Sequence, residues 1–378
     1  MKKKLKPLVN VIRNLLFKKH NKLQIYVPNQ PSTSFNDKLK EVLRRLKYFG
    51  LDKHISYINK VMPRQYVDNS LVGFIDTSGF SEKSFILKKG ELFNLDFENY
   101  VLEGWEYHKL LSILYKEEVS KGITEGKKKL KELTETLKTS YKKAYILGTG
   151  PSLEKANERN WSDGIRIVSN TIVKDVELWD YIDPHFIVAG DGIYHYGIAE
   201  FAQKFRKDLR NCLARTNTYF VLPAIFYPFC LKEFGEFKDR LIPIPMGNKT
   251  IFTTDLNKEY GLPLVGNVLP LLLLPLACTL SKDVNLWGFD GRSPNDKLFW
   301  KNSSRHFYTD DVDELKKLHA GFFNTLVPKD SPESYVKNVH GDALDYALSL
   351  AERQGFKFTM LHFSYTETLS KRYNKSDK

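Results

Sequence analysis

Residues 144–152 read Ala-Tyr-Ile-Leu-Gly-Thr-Gly-Pro-Ser, and this segment is the strongest indication of the fold in the chain. A run of apolar residues bounded by turn residues is typical of a strand buried on both faces, as in a parallel sheet. The glycines that follow allow a tight turn and a close backbone approach to a ligand. Ser152 can then cap a helix whose N-terminal amides would face a phosphate. The alternative is an ordinary turn from strand to helix that binds nothing.

Further short apolar stretches follow this one, and helical patterns separate several of them. They are Ile165–Val168, Phe186–Ala189, Tyr219–Leu222, Leu241–Ile244, Val284–Trp287 and Phe356–Met360. Short strands that alternate with helices predict an α/β fold: an open, mostly parallel sheet with helices on both faces, of the Rossmann-like kind. The leucine-rich stretch 261–280 approaches the length of a membrane span, but its two internal prolines favour a buried core helix.

Near residue 140 the sequence changes from a charged helical pattern to short apolar strands, and the chain is predicted to consist of four segments. Residues 1–22 form a basic amphipathic segment, and residues 23–140 form a smaller mixed α/β and helical region of unknown role. Within that region a strand is expected from residue 23, a helix over 37–49, and a charged, solvated helix or connecting arm over 103–140. Residues 141–365 form the main α/β domain, which carries the glycine loop, and residues 366–378 form a basic tail.

The formal net charge of +13 is concentrated at the N-terminus, where the first 22 residues contain eight lysines or arginines and no acid. Apolar residues recur between them at helical spacing, over too short a length to cross a bilayer. This pattern predicts an amphipathic helix on an anionic membrane, and therefore a cytoplasmic protein held peripherally at the inner face of the cell membrane. The alternative is a solvated basic terminus. No motif supports nucleic-acid binding, and three widely spaced cysteines favour a reducing compartment.

Polar residues stand at the ends of successive predicted strands. Asn170 follows the second strand of the domain, Asp191 the third, and Asp290 a later one. Because ligands bind beyond the carboxyl ends of parallel strands, these residues are expected at one edge of the sheet. Asn170 would read a base or sugar edge, and Asp191 would hold a ribose hydroxyl or a metal. Each could equally be a turn residue.

A cation-rich segment follows Asp290 and leads to His306. Its cations suit a phosphate-bearing leaving group, and a histidine has the right ordinary pKa for a general base near neutrality. The alternative is a basic surface loop with a structural histidine. His319, His340 and His362 are expected to be structural or secondary. Together, the residues expected to bind a nucleotide-activated substrate are Gly148, Thr149, Gly150, Pro151, Ser152, Asn170, Asp191, Asp290, Arg292, Lys297, Lys301 and Tyr308; no metal ligand is expected.

Over residues 143–365 this series of motifs resembles the bacterial sialyltransferases of glycosyltransferase family 42, and its start resembles motility accessory factors and MptE-like pterin diphosphokinases. The resemblance implies a variant GT-A fold that binds a CMP-sugar without a metal. Asn170 matches the donor-binding asparagine, and Asp191 stands where the family usually has another asparagine. Gly266-Asn267 falls near a donor contact, and His306 matches the catalytic base. Two tyrosines that the family places before this histidine are missing here.

The sequence therefore predicts a glycosyltransferase in polysaccharide biosynthesis. It would transfer a CMP-activated sialic-acid-like or Kdo sugar to a surface glycan or lipid-linked glycan acceptor, with His306 as base and no cofactor beyond the CMP-sugar co-substrate. One alternative is an ATP-dependent pterin diphosphokinase with Mg²⁺ near Asp191 or Asp290. The other is a non-catalytic nucleotide- or glycan-binding module.

Overall fold

The computed structural model describes residues 22–59, 71–75, 91–247, 249–291, 305–325 and 342–373. The chain divides into two compact units, one comprising residues 1–114 with 319–326 and the other comprising the rest. The predicted amphipathic segment, apart from Lys22, lies outside the described residues. Within those residues, no helix combines the length and the apolar character needed to span a membrane.

The first unit contains a small parallel sheet. Its elements are β1 (Leu23–Tyr26), α1 (Thr33–Tyr48), β2 (Ile55–Ile58), β3 (Leu71–Phe74), β4 (Glu91–Asn94) and α2 (Glu103–Leu114). The strands run in the order β2-β1-β3-β4, and each neighbouring pair is parallel. Ser32 caps α1 by accepting the backbone N–H of Phe35, and the helix buries Val42 and Leu46 in the core.

The second unit contains the larger sheet. Its first half comprises α3 (Lys116–Ser140), β5 (Lys143–Leu147), β6 (Ile165–Ser169), α4 (Val176–Ile182), β7 (Phe186–Val188), α5 (Glu200–Arg215), β8 (Tyr219–Pro223), α6 (Tyr227–Glu233) and β9 (Leu241–Ile244). Its second half comprises α7 (Leu274–Leu280), β10 (Asp283–Trp287), α8 (Val312–Leu318), α10 (Asp342–Arg353), β11 (Lys357–Met360) and α11 (Glu367–Ser370), while α9 (Ala320–Thr325) belongs to the first unit.

The seven strands of this sheet run in the order β11-β10-β5-β6-β7-β8-β9, all parallel. This confirms the predicted α/β class. From β5 the chain builds the sheet outward to β9, then returns and builds in the opposite direction through β10 and β11. The direction of winding therefore reverses between β5 and β10, which is where open parallel sheets bind their ligands.

The leucine-rich stretch is a buried core helix, as predicted. A π-helical turn at Leu269–Leu273 leads directly into α7, and every residue from 269 to 280 is buried. Pro270 and Pro275 each stand in the first turn of their helical section, where a missing N–H is best tolerated.

The long helix α3 is grouped with the seven-stranded sheet, whereas the sequence placed the division near residue 140. One stripe of the helix is buried at a spacing of four residues, formed by Gly122, Gly126, Leu130 and Thr134. The opposite side carries exposed ion pairs such as Lys121–Glu125. The helix is therefore solvated on one side only. The C-terminal segment also joins this unit up to Tyr373, because Arg372 lies 2.6 Å from Glu352 of α10.

Candidate functional site

The glycine loop after β5 fits against the loop after β10. Gly148 donates its N–H to the Trp287 carbonyl at 2.8 Å, and Gly150 donates to the Gly288 carbonyl at 2.9 Å. A Cβ on Gly150 would collide with the Asp290 carboxylate and lie 2.7 Å from the Gly288 oxygen. Gly288 itself has a φ of 78°, in the left-handed region that favours glycine. The contact between the loops thus accounts for the glycine at position 150 without a ligand.

Three side chains from three strand ends meet beside this contact. Ser152 donates its backbone N–H to Asp290 Oδ1 at 3.1 Å and its hydroxyl to Asp290 Oδ2 at 2.9 Å. The same hydroxyl oxygen lies 2.9 Å from His362 Nε2. Asp290 therefore holds the N-terminus of the 3-10 helix Pro151–Glu158, which is the position where the sequence suggested a phosphate. Two of the predicted binding residues come together here, but they bond to each other.

His362 belongs to this cluster, although the sequence ranked it as structural or secondary. The Gly288 N–H donates to His362 Nε2 at 3.0 Å, and the other ring nitrogen, Nδ1, lies 2.7 Å from the Phe363 carbonyl. An N–H can only donate, so Nε2 must accept and the proton sits on Nδ1. Burial lowers the pKa of His362, against the opposing effect of Asp290. The sequence could have indicated His362 as a site residue by its position two residues after β11, the strand next to β10.

His306 is completely buried, and it contacts the glycine loop. Its Nε2 lies 2.9 Å from the Thr149 carbonyl oxygen and therefore donates to it, which leaves Nδ1 as a lone pair. Within the part of the chain that the structure describes, Nδ1 has no hydrogen-bond partner. Burial lowers the pKa of His306, while the bond to Thr149 and the charges of Glu154 and Asp175 raise it. The imidazole is thus held neutral, with one unsatisfied basic nitrogen.

Neighbouring residues fix the segment that carries His306. Arg305 forms an ion pair with Asp175, and Lys174 donates to the Phe307 carbonyl at 2.8 Å. Lys174 and Asp175 end the turn that follows β6. The segment is therefore anchored on the loop after β6 as well as on the loop after β5.

Asn170 stands at the end of β6 in an unusual backbone conformation. Its φ is 54°, in the left-handed region, where asparagine is several-fold enriched. Leu147 pairs with Val168 in the sheet, so Thr149 and Asn170 each stand two residues beyond a paired position. The side-chain Oδ1 of Asn170 is buried and has no hydrogen-bond partner among the described residues. The predicted donor-reading residue is therefore beside the glycine loop with an unused acceptor.

Asp191 has a role within its own loop after β7. Its Oδ1 accepts the N–H groups of Ile193 at 2.8 Å and Tyr194 at 2.9 Å, and its own N–H donates to His195 Nδ1 at 3.1 Å. Burial, together with the nearby Arg206, lowers the pKa of His195 to about 3. Asp191 Oδ1 thus stabilises its own turn, which is the structural role that the sequence allowed beside binding of a ribose hydroxyl or a metal.

The remaining predicted residues are dispersed. Tyr308 donates its hydroxyl to Asp208 of α5 at 2.6 Å, away from the glycine loop. Asn267 Oδ1 accepts the N–H of Leu269 at 2.9 Å and so caps the buried leucine-rich helix, and Gly266 is exposed. Arg292, Lys297, Lys301 and His340 lie outside the described residues. His319 belongs to the first unit, where its ring lies 3.2 Å from Glu103.

Comparison with known proteins finds no family model and no curated protein that matches this chain. Across the described ranges, no group of three or more His, Cys, Asp and Glu side chains is arranged to hold a metal ion.

Proposed function

We propose that this protein is a nucleotide-sugar-dependent glycosyltransferase in which His306 is the general base. One observation carries the proposal: His306 Nδ1 and Asn170 Oδ1, both buried and both without a hydrogen-bond partner in the described structure, stand on elements that flank Thr149. Buried polar atoms in proteins nearly always have partners. Two unused acceptors at the ligand-binding edge of a parallel sheet are groups that a bound substrate would satisfy.

The chemistry follows from the tautomer of His306. The Nδ1 lone pair takes the proton of the acceptor hydroxyl as its oxygen attacks the anomeric carbon of the donor. The bond from that carbon to the phosphate oxygen breaks, and its electron pair leaves with the phosphate. The Thr149 carbonyl keeps the Nε2 proton in place and stabilises the imidazolium that forms.

The glycine loop favours a donor with a single phosphate. The N–H groups of Gly150 and Ser152 already donate to Gly288 and Asp290. Fewer amides are then left to bind a diphosphate. A CMP-activated acidic sugar, of the sialic-acid-like or Kdo type, carries one phosphate. The cytosine amine or a ribose hydroxyl would donate to Asn170 Oδ1.

A panel of nucleotides tests the donor site. We expect CMP to raise the melting temperature of the protein without Mg²⁺, and more than UDP, GDP or ATP does. Asn170→Gly keeps the left-handed backbone and removes only the amide, so it should weaken CMP binding by about tenfold, the effect of one lost hydrogen bond. A shift seen only with ATP and Mg²⁺ would instead favour the diphosphokinase.

We also propose that residues 1–22 hold the enzyme at an anionic membrane, near a lipid-linked acceptor. Each basic residue close to such a surface contributes about 1 kcal/mol, and salt screens the attraction. Deletion of residues 1–22 should release the protein from anionic vesicles while transfer to a soluble acceptor persists. Vesicle binding that survives both the deletion and added salt would refute this anchor.

A further inference from the structure

Two exposed aromatic side chains stand together in the loop after β11. Phe363 is 52% exposed and Tyr365 is 55% exposed, although large apolar rings are usually covered. Their ring centroids are 5.1 Å apart, and the planes meet edge to face at 85°. The pair therefore presents an open aromatic surface, which we call the aromatic pair.

Hydrogen bonds to the loop after β10 anchor the backbone between these rings. Ser364 donates its hydroxyl to the Phe289 carbonyl at 2.6 Å, and Tyr365 donates its N–H to the Asp290 carbonyl at 2.6 Å. Ser364 is itself fully buried. The backbone that carries the aromatic pair is thus fixed before any ligand binds, so little backbone entropy is lost on binding.

The polar groups beside the aromatic pair define the chemistry of its ligand. His362 precedes Phe363 directly, and the Asp290 carboxylate lies within 3.9 Å of the His362 ring and is 20% exposed. A partly exposed carboxylate accepts hydrogen bonds from hydroxyl groups and repels anions. Aromatic faces attract the slightly positive C–H groups of a sugar ring, because the ring face carries partial negative charge.

We propose that the aromatic pair is the acceptor subsite of the enzyme, where one face of a neutral sugar ring stacks on Phe363 or Tyr365 and its hydroxyls point toward Asp290. This inference rests on the proposed function for its biological role, but the binding itself requires no turnover. A phosphorylated or otherwise anionic ligand fits less well, because it would approach the Asp290 carboxylate.

Saturation-transfer NMR on the full chain tests the subsite directly. The probes are methyl β-galactoside, lactose and methyl N-acetyl-β-glucosaminide, each measured with and without CMP. We expect at least one of them to bind the unmodified protein, and Phe363→Ala or Tyr365→Ala, whichever removes the stacked ring, to weaken that binding by about tenfold, the value of one aromatic contact. Tyr346→Ala is the matched control, because Tyr346 is 54% exposed but lies on α10.

Two further variants test whether the rings act by stacking. Phe363→Trp and Tyr365→Phe retain a ring and should retain binding, whereas loss in these variants would overturn a stacking role. Sugar binding that neither alanine variant weakens, or no sugar binding at all, would also overturn the subsite. So would a Phe363→Ala protein that loses the CMP melting shift, because the ring would then contact the nucleobase. Sugar binding that persists in a protein without donor turnover would refute the proposed function but not the subsite.

Discussion

At the scale of single residues, two histidines near the same loops, the buried His306 and the partly buried His362, differ in their hydrogen bonds. Burial lowers the pKa of both His306 and His362. His362 Nε2 accepts from the Gly288 N–H, so its basic nitrogen is already engaged. The ring proton of His306 is on Nε2, which donates to the Thr149 carbonyl. The basic nitrogen Nδ1 has no hydrogen-bond partner among the described residues. Of these two histidines, His306 is therefore the one that combines a neutral ring with a nitrogen that is ready to take a proton.

Substitution of His306 tests this difference. His306→Gln can still donate an N–H to Thr149 but has no basic nitrogen, so we expect turnover to fall by about 10²–10⁴-fold with the melting temperature nearly unchanged. Because burial lowers the pKa of His306, the acidic fall in rate of the unmodified enzyme should lie below pH 6.5, and the variant should lack it. Release of CMP from a CMP-sugar measures both. Full turnover in folded His306→Gln would place the base elsewhere.

At the scale of elements, the glycine at position 150 can be explained by packing between the two loops or by ligand binding. A stability measurement separates these two explanations. A methyl group at Gly150 would collide with the Asp290 carboxylate and approach the Gly288 carbonyl. Gly150→Ala should therefore destabilise the protein by about 1–3 kcal/mol without any nucleotide present, by overpacking. Gly235→Ala is the control, since its methyl would meet nothing within 4 Å. Equal urea midpoints for the two variants would show that the contact between the loops is not needed.

The buried stripe of α3 gives a second test at this scale. A methyl group at Gly122 would collide with the Tyr227 ring, which lies on α6. Alanine has the higher helix propensity by about 1 kcal/mol, so the two effects oppose each other. We expect the collision to outweigh the gain in helix propensity, so that Gly122→Ala lowers the urea midpoint. Lys121→Ala, on the exposed side, should not lower it. Gly122→Ala with Tyr227→Ala should be less destabilising than the sum of the single changes. Strict additivity would argue against this packing.

The helices and strands also differ in how well the sequence predicts them. Strand–turn–helix patterns such as residues 144–152 depend on local chemistry, so the strands and the parallel class were predictable. The buried stripe of α3 was missed, because Gly122 and Gly126 are not apolar anchors and their charged neighbours dominate the pattern. The prediction that Ser152 caps the helix is wrong, because Ser152 is the second residue of the 3-10 helix and Gly150 stands at the cap. The bond from Ser152 to Asp290 joins residues 138 apart in the chain, and no local pattern predicts such a partner.

At the scale of the whole molecule, the order of the strands decides which residues can cooperate. The reversal between β5 and β10 places the glycine loop next to Asp290, and β11 then adds His362. The sequence predicted that strand ends would converge, but it did not predict which strands are neighbours. Asp191, after β7, is two strands away from β5, and it serves its own loop instead.

Two histidines with lowered pKa values, the partly buried His185 and the buried His195, should make the second unit sensitive to mild acid. Burial and Arg166 lower the pKa of His185 to about 4, and burial and Arg206 lower that of His195 to about 3. Below pH 6.5 the unfolded chain binds protons that the folded chain does not, so stability present above pH 6.5 is lost as the pH falls toward 4 and 3. Between pH 7 and pH 5 each histidine should lower the free energy of unfolding by about 2 kcal/mol, before most carboxylates titrate.

His195→Asn keeps an acceptor for the Asp191 N–H but cannot be protonated, so it should reduce this loss by about 2 kcal/mol. Urea unfolding at the two pH values measures the loss. An identical loss in the His195→Asn variant would mean that the pKa of His195 in the folded protein is not lowered.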